Sequence, residues 1–129
     1  MIFTLLADTF AIVRMRASDA IPEWATGGPF VSITRTADEL SIVCREASVP
    51  AGTHADRGWR CLKLEGPIPL DTIGVAAGFT SVLAKAGVSV FPIATYDTDY
   101  VLVKGDRLDG ASDALRSAGH SVRRLTNPA

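Results

Sequence analysis

The sequence predicts an α+β fold, and three observations carry that prediction. Several short segments are strand-like, and residues 59–65 alternate apolar and charged residues as a half-buried strand requires. One other repeats apolar residues at helical spacing and stops at Gly87, and a polar helical segment stops at Gly119. Residues 32–43 also align without a gap against residues 92–103, sixty positions later, which signals an internal repeat.

The 129 residues are 47% hydrophobic and 21% charged, enough apolar material to bury a core. The net charge of −1 lacks the basic surplus that neutralises nucleic-acid phosphates, so no nucleic-acid partner is expected. The two cysteines, Cys44 and Cys61, fit neither a disulfide framework nor a metal motif. Both fall in strand-like segments, where cysteine behaves as a small apolar residue. The apolar start, Met1 to Ala7, has no basic lead and ends at Asp8, unlike a signal peptide. Lys85 divides the best apolar stretch, so no membrane span is expected and the chain reads as cytoplasmic.

Residues 2–6 and 10–15 read as strands separated by a turn at Ala7-Asp8-Thr9. Pro22, Gly27, Gly28 and Pro29 leave room for at most one helical turn, near Glu23–Ala25. Strands over 30–36 and 39–45 form a hairpin, and 46–58 is a connector holding Pro50, Gly52 and Gly58. Residues 59–65 alternate apolar and charged and end at Gly66-Pro67. Asp71 suits a helix N-cap, because its carboxylate accepts amides of the first turn. Val75, Phe79, Val82, Leu83 and Ala86 then trace one helical face. Strands at 88–94 and 99–104, a helix over 109–118 and a strand at 120–125 complete the chain. From residue 59 the order is β-α-β-β-α-β, the split ferredoxin-like arrangement.

The first half repeats part of that plan. In the ungapped alignment Ile33 falls on Ile93, Glu39 on Asp99 and Ile42 on Leu102. Phe10–Met15 falls opposite Trp59–Leu64, but residues for a first helix, second helix and fourth strand are missing. The expectation is a truncated unit over 1–58 and a complete one over 59–129. Strand 2–6 would compensate by pairing antiparallel with 10–15.

No enzymatic constellation emerges. G-x-S-x-G, the P-loop and H-E-x-x-H are absent, and His54 and His120 read as surface histidines. Asp97 and Asp99 could serve as paired carboxylates for acid/base work, but on alternate positions of one turn such residues more often satisfy backbone amides, and nothing nearby supplies a second partner group. RNA-binding modules of this fold need stacking aromatics in basic surroundings. Here Trp59 and Tyr100 stand among Glu65, Asp97 and Asp99. The strand–loop–helix junction Glu65–Gly74 faces the joint Thr95–Asp99 in such a fold. The junction offers helix-start amides for a carboxylate, and the joint offers acids and hydroxyls for an ammonium. The same residues also read as a plain cap and a plain turn.

Three segments, Phe30–Cys44, Gly58–Pro67 and Ile93–Val103, resemble small tandem ACT-domain proteins, the group that includes the CASTOR arginine sensors. The resemblance implies a ferredoxin-like ACT fold with a truncated unit followed by a complete βαββαβ unit. It implies a non-catalytic regulatory module, frequent homodimers, a regulated protein partner and a small effector, usually an amino acid, at a unit interface. No cofactor is implied. Carried over by position, the ligand contacts are Pro69, Leu70, Asp71, Thr72 and Val75 from the junction, and Ile93, Thr95, Tyr96, Thr98 and Asp99 from the joint. Asp99 takes the place of the residue that holds a ligand's cationic group. The alternative is a dimerisation module that has lost its ligand.

Overall fold

The computed structural model of the chain describes residues 1–124. The chain divides into two compact units, one of Asp8–Trp59 and one of Met1–Ala7 with Arg60 onward. The first seven residues therefore join the C-terminal unit, unlike the expected division at 58. The cause is β1, a single strand over Ile2–Met15. The turn expected at 7–9 does not form. Ala7-Asp8-Thr9 contains no glycine or proline, so nothing there interrupts extended backbone.

The pairing expected for strand 2–6 is overturned as well. Ile2–Leu5 lies parallel to β7 (Ser121–Arg124) and not antiparallel to 10–15. Residue 125, the expected end of that last strand, lies outside the described residues.

The C-terminal unit contains β4 (Asp56–Leu64) from Arg60 onward, α1 (Val75–Lys85), β5 (Phe91–Ala94), β6 (Asp99–Lys104), α2 (Leu108–Ser117) and β7. This is the expected ferredoxin-like β-α-β-β-α-β order. Its strands run β7, the start of β1, β4, β6, β5. The start of β1 takes the place that the last strand of a ferredoxin-like sheet holds beside the first. Phe3 and Leu5 from β1, Leu62 and Leu64 from β4, and Val101 and Val103 from β6 share one face. Phe79 and Leu83 of α1 and Leu108, Ala111 and Leu115 of α2 cover that face. Each large side chain so buried contributes on the order of 1.5–3 kcal/mol.

The helices end where their glycines predict. Gly87 has φ +73°, and the Val88 amide donates back to the Leu83 carbonyl at 3.0 Å. Positive φ costs glycine nothing, and the returning amide satisfies a carbonyl the helix leaves open. The start of α1 differs from expectation. Its cap is Gly74 at φ +81°, with no side-chain cap bond, and Asp71 stands outside the helix. The Thr72 amide donates to the Pro69 carbonyl at 3.0 Å, so residues 69–72 turn before the helix begins.

The N-terminal unit holds β1 from Phe10, a 3₁₀ turn at Glu23–Ala25, β2 (Ser32–Arg35), β3 (Leu40–Arg45) and a second 3₁₀ turn at Glu46–Ser48. Antiparallel pairing joins β3 to β1 and to β2. Ala11, Val13, Ala25, Leu40, Ile42 and Cys44 form its core. A 3₁₀ turn stands where the complete unit has α1.

The two hairpins close with the same turn, in a register one residue away from the expected alignment. Thr36 N donates to Glu39 O and Thr95 N to Thr98 O, each at 2.9 Å. The Thr36 and Thr95 hydroxyls reach the same carbonyls at 3.4 and 2.8 Å. Thr36 thus answers to Thr95 and Leu40 to Asp99, fifty-nine positions on. Asp99 has an apolar counterpart, not the expected Glu39.

Candidate functional site

In the C-terminal unit, loop 65–74 and the 95–98 joint close on each other. The Ile68 amide donates to the Asp97 carbonyl at 2.7 Å. The buried Thr98 hydroxyl donates to the Leu64 carbonyl at 2.5 Å. Gly66 makes the approach possible, because a Cβ there would lie 3.0 Å from Asp97 O and 3.2 Å from Thr98 Cβ. The joint itself is closed by the Thr95–Thr98 bonds. Its ends are β5 and β6, paired with Ala94 opposite Asp99.

A cavity of about 140 Å³ opens between loop and joint. Pro69, Leu70, Thr72 and Val75 line one side; Thr95, Tyr96, Thr98 and Asp99 line the other. Two expected residues stand elsewhere. Asp71 borders an adjoining open hollow of about 440 Å³, together with Asp97 and Pro67. Ile93 lies in β5 opposite Tyr100 and outside the lining, because strand alternation turns it from the cavity while Ala94 takes its place. Ile68 also lines the wall. Sequence reasoning passed over Ile68 and Ala94, although each directly adjoins an expected residue.

The chemistry of the walls is uneven. Asp99 is the acidic side chain in the cavity lining, with the Thr72, Thr95 and Thr98 hydroxyls as polar neighbours. The amide of Gly78 is bonded to Gly74 O at 3.0 Å, the first intrahelical bond of α1. The amides of Val75, Ala76 and Ala77 precede it and have no acceptor among the described residues. They carry the positive end of the helix dipole. Leu70 and Tyr96 are exposed at 68% and 80%, so the cavity mouth is apolar and open.

Glu65, where β4 leaves the sheet, is held by its neighbours. The Thr4 hydroxyl donates to it at 2.6 Å, and Arg123 stands 3.7 Å away. The Thr4 bond, ahead of an opposing burial effect and the charges of Lys63 and Arg123, lowers its pKa from the usual carboxylate value. In the N-terminal unit the corresponding region is spanned by arginines. Arg14 donates to Asp38 O at 3.0 Å, and Arg35 donates to Ala17 O.

A family model for the ACT domain matches residues 54–117, and a separate N-terminal-domain model matches residues 8–52. The chain is 41% identical to protein Atu0741 from Agobacterium tumefaciens, whose crystal structure superimposes with a TM-score of 0.92 over 99% of this chain and 96% of that one. The chain belongs to the Atu0741 family and carries an ACT domain. Vibrio cholerae VC0802, described as of unknown function and a possible transport protein, shares the fold at TM-score 0.74 and 22% identity, over 90% of this chain and 88% of that one. The fold also recurs in Clostridium acetobutylicum aspartate kinase, described as an allosteric enzyme, at TM-score 0.64 and 13% identity, over 85% of this chain and 33% of that one. In the ACT unit the cavity therefore lies between the first strand–helix loop and the joint between the second and third strands. Among the described residues no helix is long and apolar enough to cross a membrane.

Proposed function

We propose that this protein is a non-catalytic regulatory module whose ACT unit binds a small amino acid in the cavity between loop 65–74 and the 95–98 joint. The observation that carries the reading is the convergence of an acid, Asp99, and a helix start without a side-chain cap on one hollow. A zwitterion needs a partner at each end. Asp99 and the threonine hydroxyls suit its ammonium, and the amides of Val75–Ala77 suit its carboxylate. The likeness to tandem ACT proteins favours the same assignment, with Asp99 in the cation-holding place.

The open apolar mouth at Leu70 and Tyr96 favours a second protomer covering the ligand, so the working form is a homodimer in the cytoplasm. Ligand binding would bias the packing of the protomers and so change the activity of a partner protein, through unequal affinity for two states. The same apolar mouth also supports the runner-up, a dimerisation module without ligand.

Thermal denaturation against each of the twenty amino acids tests the reading. A ligand that binds the folded state raises the melting temperature by mass action. The expected result is a concentration-dependent rise that Asp99→Asn diminishes while the unliganded melting temperature stays unchanged. A response to none of the twenty would leave the dimerisation module standing.

A further inference from the structure

On the helix side of the same unit, α2 and β7 enclose a second cavity of about 270 Å³. Water occupies roughly 30 Å³ per molecule in the liquid, so the space admits a solute of several heavy atoms. Its lining is mostly polar. Asp109, Ser112, Asp113 and Arg116 come from α2, and Arg123 and Arg124 from β7.

Most of these charges are already committed. Arg116 donates to Val122 O at 3.2 Å and stands 3.8 Å from Asp113. Arg123 donates to the Thr4 hydroxyl at 3.1 Å and pairs with Glu65. Asp109 and Arg124 remain, one acid on the helix and one base on the strand, neither with a protein partner among the described residues. Ser112 adds a hydroxyl to the lining. It is only 8% exposed, yet its hydroxyl has no protein partner among the described residues. A helical serine ordinarily bonds back to the carbonyl four residues earlier; this one lines the cavity instead. The hydroxyl is open to the cavity and free to bond a polar solute there.

We infer that the α2–β7 cavity is a second ligand site, for a small zwitterionic amino compound whose carboxylate meets Arg124, whose ammonium meets Asp109 and whose polar atoms engage the Ser112 hydroxyl. One uncommitted charge of each sign, with a hydroxyl in the same lining, matches a two-ended solute better than a simple anion or cation. The site is separate from the cavity at Asp99 and stands whether or not that cavity binds a ligand.

The test is a titration of the isotope-labelled full chain, followed by backbone amide resonances. Glycine, β-alanine, L-alanine and L-serine are the probes, with acetate and methylammonium as one-ended controls. Saturable shifts at Asp109, Ser112 and Arg124 with at least one zwitterion, and not with either control, are expected. Ser112→Ala should weaken that binding about tenfold, the worth of one hydrogen bond. Asp109→Asn and Arg124→Gln, both at exposed positions, should each weaken it further with no loss of melting temperature. Asp99→Asn should leave it unchanged. Equal saturation by acetate or methylammonium alone, no saturation up to the solubility of the four zwitterions, or indifference to all three cavity variants would overturn the inference.

Discussion

The Ile68 amide meets the Asp97 carbonyl at 2.7 Å, and this one bond ties the loop before α1 to the joint between β5 and β6. Everything that can act as a ligand site at Asp99 depends on that closure, because the two walls of the cavity belong to those two segments. Two consequences of the closure can be measured, and two of the packing around it.

Gly66→Ala should strain the closure. The added Cβ would stand 3.0 Å from Asp97 O, 3.1 Å from Ile68 N and 3.2 Å from Thr98 Cβ. Two of those atoms are backbone and cannot swing away, so the loop must shift. A loss of about 1–3 kcal/mol is expected from overpacking of this kind, read as a lower denaturant midpoint. Any ligand-induced rise in melting temperature should shrink with it.

Thr98→Val keeps the side chain's shape and removes its hydroxyl. The bond to Leu64 O is then lost at a position only 6% exposed, leaving a carbonyl without that donor. About 1–3 kcal/mol of stability should go. Urea unfolding of the variant beside the parent measures it, and an unchanged midpoint would contradict the bond.

Acid should weaken the fold through Glu65. Its folded pKa lies below the ordinary 4.5, chiefly because the Thr4 hydroxyl donates to the carboxylate. A depressed carboxylate binds fewer protons folded than unfolded, so its contribution is complete above pH 4.5 and disappears as the pH falls through the lower folded value. Thr4→Val removes the main cause. Melting temperatures taken from pH 6 down to pH 3 should therefore fall less steeply below about 4.5 in the variant than in the parent.

Phe79→Ala should be the most damaging of the four. Phe79 is 1% exposed and meets Phe3 edge to face, with ring centroids 5.8 Å apart. A cavity of that size in a packed core costs about 3–5 kcal/mol. The denaturant midpoint should drop while the slope stays the same, since the surface exposed on unfolding changes little.

The elements that could be read from the sequence were those with strong punctuation. Gly87 and Gly119 end helices because both occupy positive φ, and apolar spacing located α1. The cavity was legible for the same reason, since Pro69, Thr95 and Asp99 flank turns whose place in a β-α-β-β-α-β order is set by topology. What escaped was long-range. Ala7-Asp8-Thr9 reads as a turn although it holds no glycine or proline, and the parallel partner of Ile2–Leu5 lies 119 residues further along the chain. Asp71 has the right chemistry for a cap, but the turn closed by Pro69 and Thr72 moved the helix start to Val75. The repeat slipped by one because matching by residue type placed acid on acid, whereas the hydrogen bonds match Thr36 with Thr95.

The course of β1 has a practical result for anyone dissecting this molecule. Phe3 and Leu5, at the chain's beginning, belong to the core that α1 and α2 cover, and Ile2–Leu5 supplies the ladder on which β7 forms. A fragment trimmed to the ACT match at 54–117 would lack both that strand and β7. Such a piece would expose bare strand edge and an unfilled apolar face, and would be prone to aggregate. Fragments meant to isolate the ACT half therefore need the opening residues tethered back on, or a circularly permuted chain that carries them.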